Sequence, residues 1–150
     1  MKRNLLIALG VFVFLLLALF GFKTFISSIN SQRDCEFANI DNIEMNVGID
    51  IPAIESSDCN YDEVEKEKSV YFKFDNEVNI EEYCSSNKFS KLQTSNLDVY
   101  LDLNYIGNSQ PFNEGIDDFY CKSEARYSNN YHAILNKATK ELWIVISFKD

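Results

Sequence analysis

Residues 141–148 read ELWIVISF, and this stretch decides the fold. In an extended chain Leu142, Ile144 and Ile146 point to one side, whereas Trp143 and Val145 point to the other. Both sides are apolar, which predicts a central strand or a strand whose second face is covered. We therefore expect the domain to be organised around a sheet that contains this C-terminal strand.

Two further strands are predicted immediately before it. Residues 131–135 are predicted to form one arm of a hairpin and residues 142–148 the other, joined by the polar connection 136–140. In residues 119–127 apolar and polar side chains alternate, which predicts a strand that ends at the tight connection 128–130. Because the links between these three strands are short, an antiparallel meander is favoured.

Three earlier segments, 43–51, 70–74 and 97–105, also alternate with period two and are predicted to be strands. Between the first two, residues 55–68 are polar and carry six acidic side chains, so we expect a solvated loop there. Residues 107–115 contain Pro111 between glycines and are also predicted to be a loop. The run 79–82, Asn-Ile-Glu-Glu, predicts a short helix over about 80–88 with Asn79 as its N-cap.

The N-terminal segment differs sharply from the rest in composition. Residues 5–22 form a run of 18 residues without a charged side chain, preceded by Lys2 and Arg3 and followed by Lys23. As a helix, such a run spans about 27 Å, close to the thickness of a bilayer's hydrocarbon core. A cleaved signal peptide is the competing interpretation, but its apolar region is usually shorter and no Ala-x-Ala site follows here. A buried core helix is disfavoured because so small a domain cannot cover every face of it.

The flanking charges predict the orientation of this segment in a bacterial inner membrane. By the positive-inside rule, Lys2 and Arg3 place residues 1–4 in the cytoplasm, and 5–22 form a single-pass signal anchor. Residues 23–42 are interpreted as a juxtamembrane stalk, and residues 43–150 as an acidic periplasmic domain. The predicted fold is α+β: a transmembrane helix, then a disulfide-stabilised antiparallel sheet of about six strands with one short helix, in the order β-β-α-β-β-β-β.

The charge of the outer part constrains its partners. Three of the 14 basic residues and none of the 23 acidic residues precede residue 31. The rest of the chain therefore has 11 basic and 23 acidic residues, a formal charge of −12. We therefore expect no nucleic acid partner, since a polyanion is repelled by such a field. A cationic protein would be attracted, although solubility alone also accounts for the charge.

All four cysteines lie in the outer part of the chain: Cys35, Cys59, Cys84 and Cys121. An even number of cysteines in an exported domain predicts two disulfides, and the sequence leaves all three pairings open. The spacing contains no Cys-x-x-Cys, so neither a zinc knuckle nor a thioredoxin-like pair fits.

No catalytic constellation is evident, and we predict neither an enzyme nor a cofactor or metal. His132 is the only histidine, and it has no identifiable partner in the sequence. Residues 58–62 begin like a calcium loop, but the sixth position is Glu63 instead of glycine and the twelfth is Ser69 instead of glutamate. Residues 85–88 match Ser-x-x-Lys without the other motifs of penicillin-binding enzymes.

Three functions remain as hypotheses. The first is a protein-binding domain, most specifically a periplasmic immunity protein that neutralises a basic secreted toxin. The second is an accessory subunit of a secretion, division or phage-exclusion assembly in the envelope, and the third is a cell-wall hydrolase with a site around His132. For the first, the candidate partner-binding residues are the acidic side chains Glu55, Asp58, Asp62, Glu63, Glu65 and Glu67, with Asp98 and Asp102 second.

Overall fold

Six antiparallel strands and four helices form the part of the chain that the structure, a computed structural model, describes: residues 2–30, 35, 39–103, 105–106, 118–127 and 129–149. The helices are α1 (Lys2–Asn30), α2 (Asn39–Val47), α3 (Ile80–Ser86) and α4 (Leu97–Leu101), the last preceded by a 3-10 turn. The strands are β1 (Ile54–Asp62), β2 (Glu67–Phe74), β3 (Ser90–Lys91), β4 (Phe119–Arg126), β5 (Asn129–Asn136) and β6 (Glu141–Ser147).

The strands are arranged in one sheet in the order β1-β2-β6-β5-β4-β3. β6 lies near the middle, and its residues Leu142 to Ile146 are all buried, as its apolar sides predict. The meander of β4, β5 and β6 is confirmed. The α+β class and the number of strands are therefore confirmed, although two of the predicted strands are wrong.

Each face of the sheet is covered differently. On what we call the helix face, Phe72, Ala133 and Ile144 pack beneath α2 and α3. On the opposite face, Trp143, Ile134 and Cys121 pack with Tyr100 of α4. Burial of apolar side chains on both faces supplies the main favourable free energy of folding.

The strand predicted over 43–51 is wrong, because α2 covers most of this segment. Ile43 and Val47 are four residues apart, so on a helix they share one face, and both are buried against the sheet. Met45 points away and is 50% exposed. Gly48 ends the helix with a positive φ of 72°, and its N–H donates to Glu44 O at 2.9 Å.

The strand predicted over 97–105 is wrong as well, because a 3-10 turn and α4 occupy its first half. Tyr100 is buried at 3% exposure, whereas Val99 and Leu101 are about half exposed, so the alternation did not mark a buried strand face. Asp98 and Asp102 consequently lie one helical turn apart instead of along an extended chain. The loop predicted over 107–115 lies outside the described residues.

The loop predicted over 55–68 is in fact most of β1 and the start of β2. β1 is an edge strand with mainly exposed side chains, so its polar composition reflects its position in the sheet. By contrast, the short helix is confirmed as α3, and the Asn79 side chain caps it by accepting from the N–H groups of Glu81 and Glu82.

One of the two predicted disulfides is confirmed. Cys35 and Cys59 are bonded, which ties the chain before α2 to the edge strand β1. The second disulfide is wrong, because Cys84 and Cys121 are buried free thiols. Cys84 belongs to α3 and packs on the helix face, whereas Cys121 belongs to the opposite face, so the sheet separates them.

Helix α1 contains the predicted membrane anchor and continues through Asn30, into the segment predicted as a stalk. Its described side chains, from Leu9 to Lys23, are all exposed. Within the described residues, no helix has both the length and the apolar character that a bilayer crossing requires. The span predicted for residues 5–22 therefore stays a prediction.

Candidate functional site

The six leading acidic candidates all lie on the hairpin that β1 and β2 form. Five of them are exposed, namely Glu55, Asp58, Asp62, Glu63 and Glu65. Glu67 is half-buried and accepts a hydrogen bond from Ser147 Oγ at 2.8 Å. The structure therefore brings this set together on one element, which we call the acidic hairpin, residues 54–74.

The tip of the acidic hairpin is preorganised. Asp62 Oδ1 accepts from the N–H groups of Val64 and Glu65 at 2.8 and 3.1 Å, which fixes the turn. The backbone of Lys66, at a φ of 54°, accepts from Phe148 N at 3.0 Å and so attaches the turn to the chain after β6. A partner that binds this tip would therefore meet a defined shape and would not have to order a loop.

The tip also exposes an apolar side chain between its carboxylates. Val64 is 86% exposed and is flanked by Glu63 and Glu65. Behind them, Asp62 and Glu67 are directly opposite each other across the two strands. Like charges in that position repel, and a cation brought to the hairpin would reduce the repulsion.

The two secondary candidates lie elsewhere. Asp98 is in the first turn of α4 and Asp102 caps its C-terminal end, and both are exposed. α4 contacts β4 through Tyr100 and Ser123, whereas the acidic hairpin lies at the other edge of the sheet. The structure thus divides the predicted acidic residues into two surfaces.

A polar cluster on the opposite face is the feature that sequence reasoning missed. Ser123 Oγ lies 2.9 Å from His132 Nδ1 and 2.7 Å from the hydroxyl of Tyr100. The Tyr100 and His132 rings meet edge to face, with centroids 6.0 Å apart. Ser123 and His132 are paired across β4 and β5, so a correct strand register could have identified the contact.

This cluster borders a cleft of about 320 Å³ that Tyr100, Cys121 and Ser123 help to line. Burial lowers the pKa of His132, and the negative charge of Glu67 opposes that shift in part. A neutral imidazole can accept a proton at Nδ1 from Ser123, while Tyr100 donates to the serine oxygen. The arrangement can therefore hold a serine beside a base, which is the first requirement of serine nucleophile chemistry.

Neither a reactive Cys84 thiol nor a metal site is indicated in the described part of the chain. Burial, opposed by Lys137, raises the pKa of the Cys84 thiol to about 11, so this thiol is protonated and unreactive near neutral pH. In the described part of the chain, no three histidine, cysteine or carboxylate side chains are grouped to hold a metal ion.

Comparison with known proteins identifies no relative. No protein-family model matches the chain, and neither a curated protein nor a solved structure matches it.

Proposed function

We propose that the chain is a membrane-anchored protein-binding domain in the bacterial periplasm, and that it acts as an immunity protein against a cationic effector. The acidic hairpin is the observation that carries this proposal. It combines exposed carboxylates, a fixed turn and the exposed apolar side chain of Val64. Charges of this kind steer a cationic partner during approach, and a desolvated apolar contact at the centre then holds it.

The anchor is part of the same proposal. Residues 5–22 carry no charge, and the helix that contains them extends from Lys2 to Asn30. An uncleaved anchor keeps the domain at the outer surface of the inner membrane, where an incoming toxin acts. A reporter that is active only after export, fused after Asp150, should be active in cells, and activity only in the cytosol would refute this topology.

The binding surface is tested by photocrosslinking. A photoreactive amino acid at position 64 of the full chain should crosslink one strongly basic exported protein, and the same group at exposed Glu77 should not. The double variant E63K/E65K should weaken binding of that protein at least tenfold, while the matched reversal E77K/D118K leaves it within a factor of two. If neither the E63K/E65K charge reversal nor added salt changes the affinity, the acidic hairpin is not the contact surface.

The Ser123–His132 contact favours a second candidate function, hydrolysis through a serine nucleophile. A fluorophosphonate probe reacts with an activated serine, so it should label the wild-type chain and the S90A control but not the S123A variant. Ser90 is the matched control because it lines the same cleft. Equal labelling of all three proteins, or of none, would rule out this candidate.

A further inference from the structure

A second cleft, distinct from the acidic hairpin and from the serine–histidine cluster, lies between α3 and the chain before β1. It has a volume of about 300 Å³. Asp50 and Pro52 form one wall, and Glu82, Tyr83 and Asn87 contribute to the other. The acidic hairpin turns at Asp62 to Glu67, at the far end of β1 from this cleft.

The cleft has a fixed shape. Asn87 Oδ1 accepts from Asp50 N at 2.8 Å, and Asn87 Nδ2 donates to Tyr83 O at 3.1 Å. Next to it, Glu44 accepts from Ile51 N at 2.7 Å. The bond between Asp50 and Asn87 attaches the chain after α2 to the C-terminal end of α3, and the other two bonds hold each wall in place.

One polar group in this cleft is buried without a partner. Tyr83 is only 7% exposed, and within the described residues its hydroxyl makes no hydrogen bond. Its ring is held by edge-to-face contact with Phe74 and by Phe89. Leaving a buried hydroxyl unpaired is unfavourable, so a ligand that supplies a hydrogen bond to this group gains binding free energy.

The electrostatics of the cleft select the sign of that ligand. Burial raises the pKa of the Tyr83 hydroxyl, and the neighbouring Cys84, Asp50 and Glu44 raise it further. The hydroxyl therefore stays neutral beside negative charge, and among the described residues none of the side chains that line the cleft is basic. Glu82, in the first turn of α3, also offsets the positive end of the helix dipole.

We propose that this cleft binds an arginine side chain of a protein partner. The guanidinium donates to the carboxylates of Asp50 and Glu82 and to the unpaired oxygen of Tyr83, while its methylene groups pack on Pro52 and Val78. Arginine fits better than lysine because its planar group presents several donors at once. The inference rests on the proposed function for the cationic nature of the partner, and it adds a second contact surface.

The site is tested without any effector. The full chain in detergent micelles is titrated with N-acetylarginine methylamide, and the Asn87 side-chain amide resonance is followed by NMR. The neutral citrulline analogue should bind at least tenfold more weakly, and D50N and E82Q should each reduce arginine affinity at least threefold. E77Q removes an exposed carboxylate outside the cleft and should leave the affinity unchanged.

Tyr83→Phe provides a further check, because this variant should fold normally. Since the hydroxyl has no partner among the described residues, its removal should leave the fold intact, yet it should weaken arginine binding at least twofold. Equal binding of the arginine and citrulline analogues, or unchanged affinity in D50N and E82Q, would overturn the proposal. Because no effector is present, failure of this titration overturns the arginine site alone, and failure of crosslinking at position 64 overturns the proposed function alone.

Discussion

Removing the Cys35–Cys59 disulfide should strongly destabilise the domain. The bond joins residues 24 apart in the sequence. In the chain-entropy description, closing a loop of that length stabilises the folded state by about 3.5 kcal/mol at 25 °C, because it restricts the unfolded chain. Domains of this size have a total free energy of unfolding of about 5–15 kcal/mol, so the loss is a large fraction of it.

The assay is urea unfolding of the double variant C35S/C59S against the wild type, followed by tryptophan fluorescence. With a urea dependence of about 2 kcal/mol per molar, the midpoint should fall by about 1.7 M. Trp143 suits this measurement because it is 1% exposed in the folded sheet and is the only tryptophan. A reductant should lower the wild-type midpoint to the variant's value and should leave the variant itself unchanged.

The other cysteines supply the control. Cys84 and Cys121 are free, so the variant C84A/C121A should retain the full response to reductant. A midpoint for C35S/C59S within 0.3 M of the wild-type midpoint would show that the bond does not stabilise the domain as expected. Loss of the reductant response in C84A/C121A would assign the disulfide to the other pair.

Three further perturbations test the local structure. Asn79→Ala removes the N-cap of α3 and should lower the free energy of unfolding by about 1 kcal/mol in urea titrations, whereas an unchanged midpoint would show that the cap is dispensable. Gly48→Ala should cost about 1–3 kcal/mol by the same measurement, because φ is positive there and an alanine is strained in that conformation. The added methyl meets only the end of the flexible Arg126 side chain, which can move aside, so a neutral result would contradict the backbone conformation at the end of α2. Burial lowers the pKa of His132, so the unfolded chain binds a proton at this imidazole more readily than the folded chain does. The contribution of His132 to the free energy of unfolding should therefore diminish as the pH falls below 6.5. An NMR titration should place its pKa below 6.5, and a higher value would contradict its burial.

Hydrophobic periodicity predicted the sheet well where both faces of a strand are buried or where neighbours follow each other closely. The central strand β6 and the meander before it are local in sequence, and the alternation of their side chains is unambiguous. The cap at Asn79 is equally local, since it involves only the next three residues. In each case the information lies within one element or one short connection.

The errors occurred where two periodicities coincide. Ile43 and Val47 satisfy both the two-residue repeat of a strand and the four-residue repeat of a helix, so alternation alone could not separate the two. Gly48, just beyond them, was the local signal that a helix ends there. The acidic residues of β1 were taken for a loop because an edge strand with exposed side chains has the composition of one.

The sequence by itself determined the charge of the chain, its uncharged N-terminal run, the apolar central strand and the residues able to cap α3, because these depend only on neighbouring side chains. Only the tertiary structure decided which cysteines pair and that the six leading acidic residues share one hairpin, away from Asp98 and Asp102. It also decided that Ser123 meets His132 and that Asn87 joins α3 to Asp50. Those relations join residues that are distant in sequence, and they follow from strand register and from the face on which each side chain lies. Neither is encoded in a local pattern, since both depend on how all the elements pack together.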